Sequence, residues 1–524
     1  MQWLYPIRFQ WLEWLLALLF LLAFSFNYHR KKDFFKLAER YLSDQYDHVA
    51  HYVLLIYFVI ALFCKIAQLY TFQLHSLDFW LFEDLLDQVS KGGWMVTRFA
   101  VQNHGFVQHG AVHVFWPLYA MVPLVWLLGS LPVALAFNPL WIALSGWALH
   151  YLTGVLRLPK VDRLIVLMGF LFSWSVSEIM MQEMHPEVAY PFFVFSIAAS
   201  LLTQNRLILY SLCFLLGTFK EDTIFIGLPV LVALRLFFRR RFLAKEFHWH
   251  WVGAAVALSA GYAVELTTLI AFQKGWLGVS EWRGLPVQMP LISAFGPKLD
   301  WSSFDSISTV FTSLTGSRAN YVYSFVSFLF DPMTLCFLGT CFWVLLHGEF
   351  WVAFLPYALA FALIGDKARL TNYYAVGFVS IFWLWVTLEF YQPSKWVNLK
   401  RAWVWLSVFA FGSVGLTFYL PRPPTQEIHL AAQQARLKIE NAGAHQGVVL
   451  SPFLGEIPKE RIESDRPPED LSKIDFMLLT RQWAPYEISM EKIAELTSKL
   501  EANKAWKLVD VGSPYVSLWL RSGP

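Results

Sequence analysis

Long apolar runs separated by short polar islands fill the chain as far as residue 420. Runs of about 15–25 residues are the length an α-helix needs to cross a bilayer. They fall at roughly 11–27, 51–72, 113–129, 132–156, 163–182, 187–203, 206–219, 222–238, 250–273, 321–346, 349–364, 374–391 and 402–420, which predicts about thirteen spans. The two runs flanking Lys220, Glu221 and Asp222 are short. They read as two short spans or as one helix broken at a polar knot, which lipid tolerates only where the irregular backbone is buried in protein or lines a cavity. After the second run, Leu81, Phe82, Leu85, Leu86 and Val89 recur at helical spacing against Glu83, Asp84, Asp87 and Gln88. That pattern predicts an amphipathic helix in the membrane interface, ended by Gly92 and Gly93.

The pattern changes after residue 420. Pro421, Arg422, Pro423 and Pro424 read as a stiff linker. A helix is expected over 427–441, strands over 447–450 and 475–479, a helix over 490–502, and strands over 506–511 and 515–520, with a loop rich in Pro and charge between the first two strands. The fold class is an all-α polytopic membrane protein with a small C-terminal α/β domain. The transmembrane domain is placed at 1–420, with an external interfacial segment at 73–112, and the soluble domain at 421–524. The tail has no glycine-rich phosphate loop and no nucleophile motif, so it reads as a capping or docking domain.

Composition supports this division. The 524 residues are 57% hydrophobic, with 25 Trp and 47 Phe, far more than a soluble enzyme needs. Charge is concentrated in the tail, where 13 Lys or Arg and 14 Asp or Glu lie beyond residue 420. A net charge of +3 leaves no nucleic-acid footprint. Cys64, Cys213, Cys336 and Cys341 all lie in apolar runs, without disulfide or zinc spacing. The first run reads as a retained span, because only Arg8 precedes it and no small-residue cleavage site follows.

Basic residues in short loops set the orientation. The segments 28–50, 235–245 and 391–401 are each rich in Lys and Arg and are expected to be cytoplasmic, in a bacterial inner membrane. Counting from them puts 78–113, 183–187, 220–222, 274–320, 365–372 and the tail on the opposite side. Arg157, Lys160 and Arg163 also look cytoplasmic, which breaks the count. Either one of the two runs within 113–156 is re-entrant or that basic loop is external.

The polar islands carry the candidate chemistry, since an ionisable side chain at membrane depth costs several kcal/mol unless it faces a partner or a cavity. Asp78 directly follows a span; it is either a general base toward a hydroxyl or a helix N-cap. Glu83 is its candidate partner or part of a solvated face. His109 and His113 stand four apart and, with Glu183, His185 and Glu187, offer a possible divalent-metal set, though no HExxH pattern occurs. His185 and Pro186 stand where a helix restarts, a place that can hold a phosphate or be a plain polar turn. Lys220 can pair with phosphate, and Glu221 and Asp222 with cations, or the three form a self-neutralising turn. Arg369 and Tyr373 precede the 374–391 run, as a phosphate clamp or as interface anchors.

With those residues in view, the chain resembles a family of uncharacterised prokaryotic multi-pass membrane proteins. His185-Pro186-Glu187 is similar to its H-P-E motif and Lys220-Glu221-Asp222 to its K-E-D motif. The stretch Asp78-Phe79-Trp80-Leu81-Phe82-Glu83 is similar to its D-x-x-x-F-[DE] segment, with Trp80 where the family usually has Gly. His109 through Pro117-Leu118-Tyr119 is similar to its H…P-L-Y segment. The resemblance spans roughly 70–390. That family in turn looks like the GT-C glycosyltransferases, which implies transfer of a sugar from a polyprenyl-phosphate carrier to an extracytoplasmic acceptor. Asp78 would then be the catalytic acid or base, with Lys220, His185 and Arg369 as candidates to hold the carrier phosphate. The alternative is a transporter or flippase of a polar or lipid-linked solute, expected to place its site near mid-membrane on inverted repeats; no such repeat is visible in the sequence.

Overall fold

The computed structural model describes residues 5–8, 34–42, 45–71, 77–101, 106–108, 114–220, 222–239, 245–274, 276–277, 332–362, 375–392, 394–411, 417–420, 423–450, 453, 455–458, 461–464, 471–481 and 490–522. The expected span at 11–27 lies outside them, as does part of 321–346.

Among the described residues, four helices are long and apolar enough to cross a membrane. They are α2 (Tyr46–Tyr70), α6 (Ser130–Val155), the run Pro186–Thr203 that contains α9 (Tyr190–Thr203), and His250–Gln273 within α12 (Lys245–Gln273). A fifth is added if α7 (Lys160–Phe172) and α8 (Trp174–Met181), which meet at a 46° bend, form one broken span. Of the thirteen expected spans, four or five are therefore found among the described residues. Several apolar runs are shorter helices that lean on neighbours: α10 (Arg206–Gly217), α11 (Ile224–Phe238), α13 (Pro332–Gly339), α14 (Gly348–Ala362) and α15 (Val376–Tyr391). Helix α15 is apolar all round because it is buried all round, from Val376 to Phe390. Its Trp383 packs so tightly on Gly169 of α7 that a Cβ there would lie 2.6 Å from the ring.

Within the run at 113–129 no described helix is long enough to cross a membrane. The run forms α4 (Pro117–Ala120) and α5 (Val122–Leu128), with Pro near the start of each helix and Gly129 at φ +87° closing the second. Proline lacks the N–H that a continuous helix needs, so the apolar run is cut into pieces. Helix α6 alone then leads from these two short helices to the basic loop at 157–163.

That loop joins the other basic segments at one end of the bundle. Glu39 of α1 (Phe34–Leu42) accepts from the backbone N–H of Lys160 and Val161 at 2.8 Å each, capping α7. Arg401 of α16 (Val397–Phe411) grips Asp162 with two hydrogen bonds, one of 2.8 Å. Asp47 lies 3.6 Å from His150 and 3.7 Å from Arg163. Glu389 binds both Lys400 and His347. The opposite end holds the chain segments beyond the bundle. There β1 (Tyr5–Arg8) pairs antiparallel with β4 (Thr417–Leu420), tying the N-terminal segment to the start of the tail, and β2 (Val96–Val101) pairs antiparallel with β3 (Phe106–Gln108).

Small residues bring two helices together at mid-bundle. A Cβ on Gly261 of α12 would fall 2.1 Å from the Phe214 carbonyl oxygen of α10, and one on Gly217 of α10 would fall 2.3 Å from the Leu258 carbonyl oxygen. Helices in lipid associate through such close backbone approach.

The tail follows its predicted elements closely. Helix α17 (Pro423–Asn441) begins at the prolines expected to be a linker; Pro suits a first helical turn, where its missing N–H costs nothing. Strands β5 (Gly447–Val449), β6 (Ile462–Ser464), β7 (Phe476–Thr480), β8 (Trp506–Val509) and β9 (Val516–Arg521) form one mixed sheet in the order β6-β5-β7-β9-β8. Strand β6 lies within the stretch expected to be loop. Side chains alternate faces along a strand. Val448, Met477 and Trp519 pack with Ile493 and Leu500 of α18 (Met490–Ala502) in a separate small core. Val449, Phe476, Leu478 and Leu518 share the main core with α17 and the bundle.

Candidate functional site

Helix α3 (Leu77–Ser90) opens the site. Asp78 is its second residue. From Phe79 to Leu86 every side chain is buried, including Glu83 and Asp84. The expectation of an amphipathic helix with one solvated face is thus corrected, because α3 is covered on both sides. Glu83 accepts a hydrogen bond from Ser130 at the start of α6, where a carboxylate also suits the helix N-terminus. Glu83 therefore fastens α3 to the bundle. On the other side, Trp80 lies against Gly455 of the tail, where a Cβ would meet the indole at 2.1 Å.

Beneath α3 lies a polar floor made from two chain reversals. The first runs from Glu183 through the 3₁₀ turn Pro186–Ala189 into α9. The second, around Lys220 and Asp222, joins α10 to α11. Lys220 donates to Glu187, whose other carboxylate oxygen lies 3.8 Å from His185 Nδ1. Tyr190 donates to Asp222 at 2.6 Å. His185, Glu187, Lys220 and Asp222 are all buried. The rim of Phe82 meets His185 edge-on at 5.5 Å between ring centroids. The ring contact joins α3 to the floor.

The floor is pinned from below the α8 end. The last carbonyls of a helix have no partner within it. Lys65 donates to the Met181 and Gln182 carbonyls, Gln68 to Met181 at 3.2 Å, and Asn138 to Gln182 at 2.9 Å and Glu183 at 2.8 Å. These contacts also give the depth of the floor. At 1.5 Å rise per residue, Lys65 stands about 8 Å short of the end of α2, and Asn138 about 12 Å short of the start of α6. Gly217, just before Lys220, is level with Gly261, about 18 Å from the end of α12. The turns at 183–187 and 220–222, expected at the membrane face, are sunk below the helix ends.

Of the expected site residues, Glu183, His185, Glu187, Lys220 and Asp222 come together, and α3, which carries Asp78 and Glu83 in its sequence, docks on them through Phe82. His109, His113, Glu221, Arg369 and Tyr373 lie outside the described residues. Among those described, no group of three or more His, Cys, Asp or Glu is arranged to hold a metal. The sequence reading missed Lys65, Gln68, Asn138, Ser130 and Tyr190. A lone Lys inside a 25-residue apolar helix was a readable signal for the first; the others have none.

A second contact joins the tail to this end of the bundle. His429 of α17 bonds the Tyr70 carbonyl at 2.9 Å through Nε2 and Glu456 at 3.1 Å through Nδ1. Both partners are acceptors, so only the doubly protonated imidazolium makes both bonds. Burial alone would lower the His429 pKa, but the Glu456 and Tyr70 hydrogen bonds outweigh it and hold the value above the ordinary one. The cation also sits at the C-terminus of α2, where the helix dipole favours it.

These features define a class: a polytopic helical membrane protein that sinks a polar floor beneath one end of its bundle and roofs it with a buried acidic helix. Within that class the chain belongs to the DUF2079 family of predicted membrane proteins, whose pattern matches residues 68–460. No curated protein matches the chain. Among solved structures it is similar to the cryo-EM structure of the arabinofuranosyltransferase AftD from mycobacteria, at 12% identity and a TM-score of 0.43. The match covers 90% of this chain and 40% of that one, so the chain spans well under half the length of that protein.

Proposed function

We propose that the protein is an integral-membrane glycosyltransferase that moves a sugar from a polyprenyl-phosphate carrier to an acceptor on the side away from the basic loops. The observation that carries this reading is the docking of α3 on the polar floor through Phe82 and His185. It brings α3, whose second residue is Asp78, against a buried site with an ammonium and an imidazole. In the proposed reaction Asp78 takes the proton of the acceptor hydroxyl. The hydroxyl oxygen attacks the anomeric carbon, the bond from that carbon to the carrier phosphate breaks, and the phosphate leaves with the electron pair. Lys220 and His185 stabilise its charge, joined by Arg369 and Tyr373. On the positive-inside rule the basic end faces the cytoplasm, in a bacterial inner membrane, and 421–524 forms a domain that closes over the site from outside.

A second reading, a transporter of a polar or lipid-linked solute, draws support from the depth of the Lys220 turn against α12. The two separate in purified protein in nanodiscs given a polyprenyl-phosphate sugar and an acceptor extract. Release of polyprenyl phosphate by the wild type and not by Asp78→Asn supports transfer. Movement of the lipid-linked sugar across a liposome bilayer without release would refute it in favour of transport.

A further inference from the structure

Two of the side chains assigned to the carrier phosphate, Lys220 and His185, are held by one carboxylate. Glu187 accepts from Lys220 with one oxygen and faces His185 Nδ1 at 3.8 Å with the other. All three residues are buried, Glu187 at 1% exposure. A buried carboxylate persists when cations and hydrogen bonds compensate its lost hydration, and here Lys220 and His185 supply them. The carboxylate presents two oxygens and a negative charge to an ammonium and an imidazole, which is what a phosphate group would present to the same pair. A phosphate that merely joined Glu187 on Lys220 would put two anions within about 4 Å of each other out of bulk water, where like charges repel strongly. One of them must give way.

We propose that Glu187 is an internal counter-anion: it occupies the phosphate subsite when the site is empty, and the ligand phosphate displaces it from Lys220 and His185. This deepens the proposed function and rests on Lys220 and His185 being the phosphate ligands. It makes Glu187 a selectivity device. A neutral headgroup has nothing with which to replace the carboxylate, whereas a phosphate restores the pairing it breaks. The turn that bears Glu187 is fixed at its upstream side by Lys65 and Asn138, so displacement falls to the side chain and leaves the backbone in place.

The test measures binding of inorganic phosphate and of a polyprenyl phosphate to the full-length protein in nanodiscs, for wild type, Glu187→Gln, Lys220→Ala and the double variant. Glu187→Gln keeps the shape and removes the competing charge. Its affinity for phosphate is expected to rise about tenfold, a gain absent when Lys220 is also removed. A gain for polyprenyl phosphate alone identifies the lipid as the source; a gain for both identifies the phosphate as sufficient. Because Glu187→Gln removes the Glu187 charge from Lys220, its thermal midpoint should also rise more on adding phosphate than that of the wild type, which tests a poorly folding variant. Wild-type binding that is unchanged or weakened by Glu187→Gln overturns the counter-anion role and leaves the carrier reading standing. Absence of phosphate binding in every form overturns both.

Discussion

Replacing Gly261 with Ala tests whether the position of the polar floor depends on the close contact of α10 with α12. The added Cβ would lie 2.1 Å from the Phe214 carbonyl oxygen, and real Cβ contacts essentially never fall below 3.0 Å. The helices must therefore part by about 1 Å. The obstacle is backbone on both sides, so no rotamer change relieves it. Overpacking of this kind costs about 1–3 kcal/mol, and the rigid partner places it near the top of that range. The thermal midpoint in detergent should then fall by on the order of 5 °C. Because α10 ends at Gly217 and Lys220 follows three residues later, the displacement also reaches the Lys220–Glu187 pair, and phosphate binding should change with it. Two other glycines calibrate the result. A Cβ on Gly253 meets the tip of the Tyr210 side chain at 2.4 Å, which can swing away, and a Cβ on Gly348 meets nothing within 4 Å. The expected order of destabilisation is Gly261→Ala, then Gly253→Ala, then Gly348→Ala, with the last near zero. Equal midpoints for Gly261→Ala and Gly348→Ala would refute the packing argument.

Asp78→Asn should lower sugar transfer by about 10²–10⁴-fold with an unchanged thermal midpoint; full activity in that variant removes Asp78 from the chemistry. Arg401→Met leaves Asp162 buried without its guanidinium and should cost about 3–5 kcal/mol, largely recovered in Arg401→Met with Asp162→Leu; a single variant as stable as wild type would contradict the pairing. His429 has a raised pKa, so the stability it adds is complete below the unfolded value of about 6.5 and is lost as pH rises through its folded value. Amide exchange in α17 should therefore show an extra opening above that pH, beyond the intrinsic pH dependence, and His429→Gln should remove the step. An identical profile in wild type and variant would show that the latch does not titrate.

The tail was legible because its signals are local. The short apolar runs of β7 and β9, and the 3.6-residue period of α18, depend on a few neighbours, and α18 falls where the sequence places it. The bundle was less so. Hydropathy reports that a residue avoids water and says nothing of whether lipid or protein takes its place, so α15, buried on every side, reads the same as a lipid-facing span. At 113–129 the apolar content outweighed Pro117, Pro123 and Gly129, although these three mark the breaks between α4, α5 and α6.

The site was legible in its residues and not in its depth. His185, Glu187, Lys220 and Asp222 stand out as charge among apolar neighbours, and the structure gathers them. Sequence reading placed their turns at the membrane face because each follows an apolar run. Depth depends on which helices lie alongside, and only the pairings of Lys65 with Met181, Asn138 with Glu183 and Gly217 with Gly261 reveal it. A recessed floor changes the chemistry available to it. Away from bulk water, ion pairs are weakly screened and unpaired charge is expensive, so Lys220 needs an anion in every state of the site. Glu187 meets that need when the site is empty, and any anionic ligand that reaches Lys220 must meet it in its place.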